Sequence, residues 1–264
     1  PARQLLDRLP AAATDEAAPL RAALLQAEAD QALAQHRPAQ AMEALEAALP
    51  LAPDDAWLRH RLARLYLQQG QAALANAVMA EGVERAPAQG AMRQARALVW
   101  LAQDRPQDAL ADIQAIDEAA RTPAQQQLLQ EAKLQTLIAQ ALDPKNAEKT
   151  ETLLRQAEAG MTPDANALRP LANAWFEAGR PEQAIALWQR QRARLAPEPA
   201  TELAYAQALD RARADALLSA QLAALQAQGG WSPADQGQLL ELQTALLERR
   251  IAAQATTRRT SAAP

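Results

Sequence analysis

Cysteine is absent from this 264-residue chain, and histidine occurs only twice. The first absence excludes disulfide bonds and thiolate metal ligands. A zinc site needs three or four converging ligands, which His36 and His60 cannot supply alone. The sequence therefore predicts no metal site and no cofactor. Because many exported proteins also lack cysteine, the cellular compartment stays open.

Aromatic residues make up only 3% of the chain, and valine and isoleucine are also scarce. Alanine and leucine dominate instead, and these residues lose little conformational freedom in a helix. No convincing run alternates Val, Ile, Thr or Tyr with polar residues, as a half-buried strand would require. The predicted fold class is all-α.

Charge of one sign is not concentrated anywhere in the sequence. The net charge is −4, and 27 basic residues are mixed among 31 acidic ones, which disfavours a nucleic-acid partner. No apolar run approaches the roughly 20 residues of a membrane span, and none resembles a signal peptide. The opening "ARQLLDRLP" is typical of the end of a helix, so we expect a fragment of a longer protein.

A pattern of small and large apolar residues recurs with a period of 34 residues, marked by Ala41, Ala75 and Ala109. Four residues after each comes a larger apolar residue: Leu45, Met79 and Ile113. The alanines allow two helices to approach closely, and the larger residues fill the space between neighbouring units. Gly70 suits the left-handed position after a helix, and Pro38 and Pro106 suit the first turn of the next one.

This helix–turn–helix pattern resembles the tetratricopeptide repeat, which implies a right-handed superhelical solenoid of antiparallel helix pairs. We expect a single solenoid over residues 1–254, followed by a disordered tail over 255–264. Pro123 is expected to close the third unit. The clear units are 22–55, 56–89, 90–123 and 165–198, the irregular units are 124–164 and 199–230, and a capping or next-unit helix covers 233–254.

No group of residues supports an enzyme. No serine lies in a nucleophile-elbow context, and there is no Gly-rich phosphate loop. Asp54 and Asp55 form a carboxylate pair, but they follow Pro53 at a turn and are better explained as caps of the next helix. The predicted protein is therefore not an enzyme.

A binding groove is the better hypothesis. In the repeat family, positions 2, 5, 9 and 12 of a unit typically face the concave surface. Trp57, His60 and Arg64 share one helical face and could hold a peptide, a carboxylate or a sugar ring. The alternative is that Trp57 packs against the neighbouring unit. The groove candidates are Trp57, His60, Arg64, Leu67, Gln94, Arg169, Asn173 and Phe176.

The resemblance also allows a test for a co-chaperone. Chaperone-binding members hold a C-terminal carboxylate with a clamp of Lys, Asn and Arg residues. The corresponding positions here are Gln26, Asp30, Arg61, Ala91 and Ala95, and only Arg61 is basic. This function is disfavoured.

Several longer stretches resemble one bacterial family, the cellulose synthase operon C proteins. They are "LAPDDAWLRHRLARLYLQQGQ", "ALADIQAIDEAARTPAQQQLL", "LANAWFEAGRPEQAIALWQR" and "WSPADQGQLLELQTALLERRIAAQ", in this order. The resemblance implies a non-catalytic segment of a periplasmic repeat region. That region would link an inner-membrane cellulose synthase to an outer-membrane exopolysaccharide pore.

The same resemblance implies other subunits of the synthesis and export complex as partners. Whether the segment contacts glucan, peptidoglycan or a periplasmic cellulase stays open. A generic peptide-binding adaptor or assembly chaperone is the alternative function. We also expect the exposed end helices of such an array to favour dimerisation.

Overall fold

The computed structural model describes residues 14–161, 164–195 and 198–261, and every regular element within these ranges is helical. Short 3-10 turns cover Leu49–Leu51, Glu118–Ala120 and Pro144–Lys149. The α-helices are α1 (Thr14–Ala34), α2 (Pro38–Ala48), α3 (Ala56–Gln68), α4 (Ala72–Arg85), α5 (Gly90–Leu101), α6 (Pro106–Gln114), α7 (Pro123–Leu142), α8 (Thr150–Gly160), α9 (Ala165–Glu177), α10 (Pro181–Arg192), α11 (Pro199–Arg211), α12 (Asp215–Gln228) and α13 (Pro233–Ser261).

The chain divides into two compact units between Thr136 and Leu137, within α7. The first unit contains three packed helix pairs: α1 with α2, α3 with α4, and α5 with α6. The second unit contains the pairs α9 with α10 and α11 with α12, and α13 packs on the latter pair. The all-α prediction is confirmed for the described residues.

The turns inside these five helix pairs share one backbone geometry. A residue in the left-handed region ends the first helix of each pair, and the next N–H bonds to a carbonyl five residues back, which satisfies a helix-end carbonyl. The left-handed residues are His36 (φ 55°), Gly70 (φ 73°), Asp104 (φ 59°), Gly179 (φ 70°) and Arg213 (φ 57°). The corresponding N–H···O distances lie between 2.8 and 3.0 Å.

The core of the first unit follows the period found in the sequence. Ala41, Ala75 and Ala109 are fully buried, and their small side chains allow the paired helices to approach closely. The larger residues one turn later, Leu45, Met79 and Ile113, are also fully buried. The predicted packing surface is therefore confirmed at all three repeats.

Asp55 begins α3, as the capping hypothesis predicted. Its Oδ1 accepts hydrogen bonds from the backbone N–H groups of Trp57 and Leu58 at 2.9 and 3.0 Å. Asp54 lies beside it and accepts a hydrogen bond from Arg85 Nε at 3.1 Å. Only Asp55 therefore caps the helix, whereas Asp54 pairs with Arg85 on α4.

Arg59 is the largest charged side chain in the core of the first unit, and it is fully buried. Its guanidinium donates to the carbonyl of Pro53 at 2.8 Å and to that of Val78 at 2.7 Å. It also donates to Glu81 at 3.1 Å. Arg59 therefore ties α3 both to the preceding loop and to α4.

Helix α1 begins at Thr14 and contains Pro19. Two other boundaries differ from the sequence-based expectation. Pro123 begins α7 rather than ending the third unit, because Thr122 and Gln125 cap the helix there. Helix α13 continues beyond 254 to Ser261, since this stretch contains no glycine or proline. The rest of the predicted tail, residues 262–264, lies outside the described residues.

In the second unit, Asp143 follows α7 and caps the 3-10 turn through the N–H of Lys145, at 2.9 Å. Helix α7 thus ends at Leu142, directly before this turn. Trp175 and Trp188 are buried in this unit.

Candidate binding surfaces

One concave surface of the first unit has a volume of about 570 Å³, and Trp57 forms part of its wall. We call it the Trp57 groove. It lies between α3, α5 and the start of α7, and its lining is mainly small or amide-bearing. The lining residues are Trp57, Pro87, Ala88, Gly90, Ala91, Arg93, Gln94, Ala115, Ile116, Asp117, Ala120, Thr122 and Gln125.

Trp57 keeps 45% of its surface exposed, although it stands in the first turn of a packed helix. The ring of His60 contacts it edge-on, with the centroids 5.7 Å apart and the planes at 83°. This arrangement is a favourable one for aromatic pairs. The indole is therefore oriented by a neighbour while one side remains accessible.

His60 is half-buried, and its environment disfavours the charged form. Burial lowers the pKa of His60 below its usual value, and the positive charge of Arg64 lowers it further. The imidazole next to Trp57 is consequently neutral at pH 7, and it can both donate and accept a hydrogen bond.

Two side-chain amides are hydrogen-bonded to each other in the polar part of the groove. Gln125 Nε2 donates to Gln94 Oε1 at 3.2 Å, while Gln125 Oε1 accepts from the N–H of Thr122 at 2.9 Å. Sequence reasoning included Gln94 but missed Gln125. The signal was available, because Thr122 and Gln125 have the spacing of a capping box, which fixes a glutamine beside the start of a helix.

Arg64 and Leu67 do not line the Trp57 groove. Arg64 lies in a smaller concavity of about 210 Å³, next to Asp30, Leu33 and Arg61. Leu67 is half-buried and packs against the core of the first unit. The predicted group of Trp57, His60 and Arg64 is thus close in space but faces two different surfaces.

Arg61, the single basic residue at the tested clamp positions, already has partners in the first unit. It forms an ion pair with Asp30, and its second nitrogen lies 3.4 Å from Gln26 Oε1. An occupied guanidinium beside a carboxylate is a poor receptor for another carboxylate. These contacts of Arg61 also argue against the co-chaperone hypothesis.

The second unit contains a smaller pocket of about 100 Å³ between α9 and α11, which we call the Arg169–Arg211 pocket. The predicted residues Arg169, Asn173 and Phe176 all line it. The complete lining is Arg169, Asn173, Phe176, Trp188, Ala204, Gln207, Ala208 and Arg211.

Arg211 is held in place by the other lining residues. Its guanidinium carbon lies 4.6 Å from the centre of the Phe176 ring, and it donates to Asn173 Oδ1 at 3.1 Å. Sequence reasoning missed Arg211 and Gln207, because 199–230 was treated as irregular and its groove positions were not assigned. The 34-residue spacing of Gly179 and Arg213 was an available signal for Gln207, which lies 34 residues after Asn173, but not for Arg211.

The arrangement of acidic side chains and the length of the helices bear on metal binding and on membrane crossing. Among the described residues, no group of three or more His, Asp or Glu side chains is arranged to hold a metal ion. In the same ranges, no helix has the length and apolar character needed to cross a membrane.

The repeated helix pairs, their shared turns and their buried alanines define the class. The tetratricopeptide-repeat family matches residues 32–99. A crystal structure of a tetratricopeptide repeat protein from Parabacteroides merdae covers 87% of this chain and 85% of its own, with a TM-score of 0.53 and 16% identity. PilW, a type IV pilus biogenesis factor, covers 85% of this chain and 98% of its own, with a TM-score of 0.51 and 20% identity. The chain has the tetratricopeptide-repeat fold.

Within this class, one relative agrees with the resemblance found in the sequence. The chain is 36% identical, over 86% of its length, to cellulose synthase operon protein C of Xanthomonas axonopodis pv. citri. It spans only 16% of that protein's length. The resemblance is thereby confirmed for the repeat segment.

Proposed function

We propose that the chain is a non-catalytic scaffold segment of a cellulose (exopolysaccharide) synthesis and export system. The observation that carries this proposal is the 36% identity to cellulose synthase operon protein C across 86% of the chain. Stacked helix pairs support such a role, because each added pair extends a continuous binding surface without needing a catalytic centre.

The segment would act in the periplasm, between the inner-membrane synthase and the outer-membrane pore. This placement rests on the resemblance. Its direct partners would be other subunits of the complex, with glucan, peptidoglycan and a periplasmic cellulase as alternatives for further contacts. The Trp57 groove, at about 570 Å³, has the size of a typical ligand site.

A genetic experiment tests the scaffold role. The segment encoding residues 14–261 is deleted in frame from the full-length gene in its own bacterium, and cellulase-sensitive extracellular glucan is measured. Glucan secretion should fall strongly and return with the wild-type gene. Unchanged secretion in the deletion strain would refute the role. Fractionation against periplasmic and cytoplasmic marker proteins tests the placement separately.

A peptide-binding adaptor is the second candidate, and the exposed Trp57 beside paired amides favours it. The purified chain is used to capture the other secretion components, in parallel with Trp57→Ala and the conservative Trp57→Phe. Capture that is lost with alanine and kept with phenylalanine would assign the groove as the contact surface. Equal capture by all three proteins would exclude it.

Direct glucan contact is tested with cello-oligosaccharides. Tryptophan fluorescence of the wild type and of Trp57→Ala is followed during a titration up to millimolar sugar. A response confined to the wild type would support glucan binding at Trp57. No response would remove glucan as a ligand of this segment and leave the protein-contact hypothesis in place.

A further inference from the structure

Another concave surface of the second unit, of about 390 Å³, lies where the irregular stretch 124–164 meets the regular unit that begins at 165. Its walls come from the end of α7, the 3-10 turn Pro144–Lys149, the start of α8 and the end of α9. The buried Trp175 is one of the lining residues, so we call it the Trp175 pocket. It shares no lining residue with the Arg169–Arg211 pocket.

Trp175 brings to this pocket a buried hydrogen-bond donor that has no partner. The residue is 1% exposed, and its indole Nε1 bonds to no atom of the described chain. Other indole groups are satisfied: Trp100 Nε1 donates to Asp112 at 3.0 Å. Trp231 Nε1 likewise donates to the carbonyl of Leu225 at 2.9 Å.

A buried donor without an acceptor costs about 1–3 kcal/mol, and an indole N–H can only donate. Because Trp175 forms part of the pocket wall, a ligand held there could supply the missing acceptor. The first requirement on the ligand is therefore a carbonyl, hydroxyl or other acceptor oxygen.

The charged part of the lining is mainly acidic, with four carboxylates and one guanidinium. Two carboxylates are already engaged, since Asp143 caps the 3-10 turn and Glu151 pairs with Arg155 at 2.8 Å. Glu148 and Glu177 are exposed, and the side chain of neither forms an ion pair or a hydrogen bond with the described residues. These two carboxylates, one on the turn and one on α9, are available to a cation.

The nature of the cation follows from the same groups. Within the described ranges, no cluster of three or more acidic or histidine side chains could hold a metal ion, so we consider organic cations. Lys145 and Lys149 of the same turn are exposed and outside the lining, which keeps its negative balance. A neutral sugar would offer acceptors to the indole but would gain nothing from this charge.

A guanidinium suits two separate carboxylates, because its planar fork carries five N–H donors and it is only weakly hydrated. When the guanidinium belongs to an arginine within a peptide, the adjoining carbonyl groups supply the acceptor that Trp175 lacks. Arg180, the guanidinium of the lining, offers a second donor to such a carbonyl. The volume of about 390 Å³ is at the lower end of the roughly 300–1,000 Å³ typical of ligand sites, room for one side chain and its peptide groups.

We infer that the Trp175 pocket binds an arginine side chain of a basic segment on a partner protein. Glu148 and Glu177 bind the guanidinium, and Trp175 Nε1 donates to a carbonyl of the same segment. The inference rests on the proposed function in one respect, since the scaffold role is what makes a protein the expected source of the arginine.

The test uses the purified full chain labelled with ¹⁵N and four probes. The first is the acetylated peptide Gly-Ser-Arg-Ser-Gly amide. In the second, citrulline replaces arginine, which keeps the shape of the side chain and removes its charge. Free arginine is the third, and a glucosamine trimer, a cationic sugar, is the fourth. The indole N–H signal of Trp175, one of five in the chain, reports binding at the pocket.

We expect the arginine peptide to shift the Trp175 signal and the citrulline peptide to leave it unchanged. Glu148→Gln and Glu177→Gln should each weaken binding about three- to tenfold, because each removes one charge from a partly exposed ion pair. Glu182→Gln, an exposed glutamate on α10 outside the lining, should bind as the wild type does.

The inference would be overturned by equal shifts with the two peptides, by the absence of any shift, or by unchanged affinity in both pocket variants. Binding of free arginine or of the glucosamine trimer as tight as that of the arginine peptide would also overturn it, because the source would then not be a protein segment. Since all the replaced glutamates are exposed, the variants should keep the wild-type circular dichroism spectrum. Glucan secretion does not enter this assay, so failure here and failure of the scaffold role are separate outcomes.

Discussion

At the scale of single residues, Arg59 explains why a glycine occurs inside a helix. The buried guanidinium crosses from α3 to the carbonyl of Val78 and to Glu81 on α4. Gly82, on the same helix, leaves the space through which this side chain passes. A Cβ at Gly82 would lie 2.7 Å from Arg59 Cδ and 2.6 Å from Met92 Sδ. Packing, rather than backbone freedom, requires the glycine here.

Gly82→Ala should therefore destabilise the chain. Overpacking of a filled core costs about 1–3 kcal/mol, more than the roughly 1 kcal/mol that alanine gains over glycine in a helix. Urea unfolding followed by circular dichroism measures the change. Gly237→Ala is the matched control, because a Cβ there meets nothing within 4 Å and should be neutral or stabilising. Equal stability of Gly82→Ala and the wild type would contradict this account of the glycine.

His60 should make stability depend on pH. Because its pKa is lowered in the folded chain, the unfolded chain binds more protons once the pH falls below about 6.5. The stabilisation is fully present above that pH and is lost as the pH falls towards the folded pKa. The free energy of unfolding should thus decrease from about pH 7.5 to 5.5, and less steeply in His60→Gln. Parallel slopes for the two proteins would show that His60 does not contribute.

At the scale of elements, the left-handed turn is the feature shared by all five helix pairs. Glycine occupies it at Gly70 and Gly179, whereas His36, Asp104 and Arg213 occupy it elsewhere. A side chain in this region is strained by about 1–2 kcal/mol. Two substitutions at these positions should therefore change the stability of the chain in opposite directions.

Gly70→Ala should destabilise the chain by about 1 kcal/mol. Arg213→Gly should stabilise it by only a few tenths of a kcal/mol, because the larger entropy that glycine loses on folding offsets most of the relieved strain. No atom lies within 4 Å of a Cβ at Gly70, so steric crowding cannot contribute to the first change. Thermal unfolding of both variants provides the measurement. Changes of the same sign in both would indicate that the backbone conformation is not the cause.

The positions of the helix pairs could largely be predicted from the sequence. Helix pairs could be located because Ala41, Gly70 and Pro106 each meet a local steric requirement that repeats with the period. The beginning of α7 is also marked in the sequence, because Thr122 and Gln125 have the spacing of a capping box and Pro123 fits the first turn that they cap.

The candidate surfaces were less predictable than the helices. Arg169 and Asn173 could be selected from their position in a regular unit. Arg211 could not, because its role depends on how α11 packs against α9 and on the Phe176 ring beneath it. Such a contact joins residues far apart in the sequence, and no local pattern encodes it.

At the scale of the whole molecule, α13 provides an accessible apolar face. Leu240, Leu247 and Ile251 are exposed by 64%, 56% and 66%, and their spacing of seven and four residues places them on one side of the helix. Leu239, Leu242 and Leu246 on another side are buried. The exposed face is a candidate contact for a second copy.

We expect the isolated chain to self-associate as its concentration rises, because pairing this face removes three large side chains from water. Sedimentation velocity over a concentration series measures the equilibrium. Leu247→Glu should shift it to the monomer, whereas Leu217→Glu, an exposed leucine on α12, should not. Concentration-independent sedimentation of the wild type would rule out this dimer contact.

The turns of the helix pairs have a practical consequence for experiments on the molecule. They accept histidine, aspartate and arginine at residues 36, 104 and 213, and the natural chain has no thiol of its own. A single cysteine introduced at any of them would be a unique point of attachment for a dye or spin label. Pairs of labels at residues 36 and 104 would then act as a molecular ruler across two repeats, able to follow in solution how the array flexes when a partner binds.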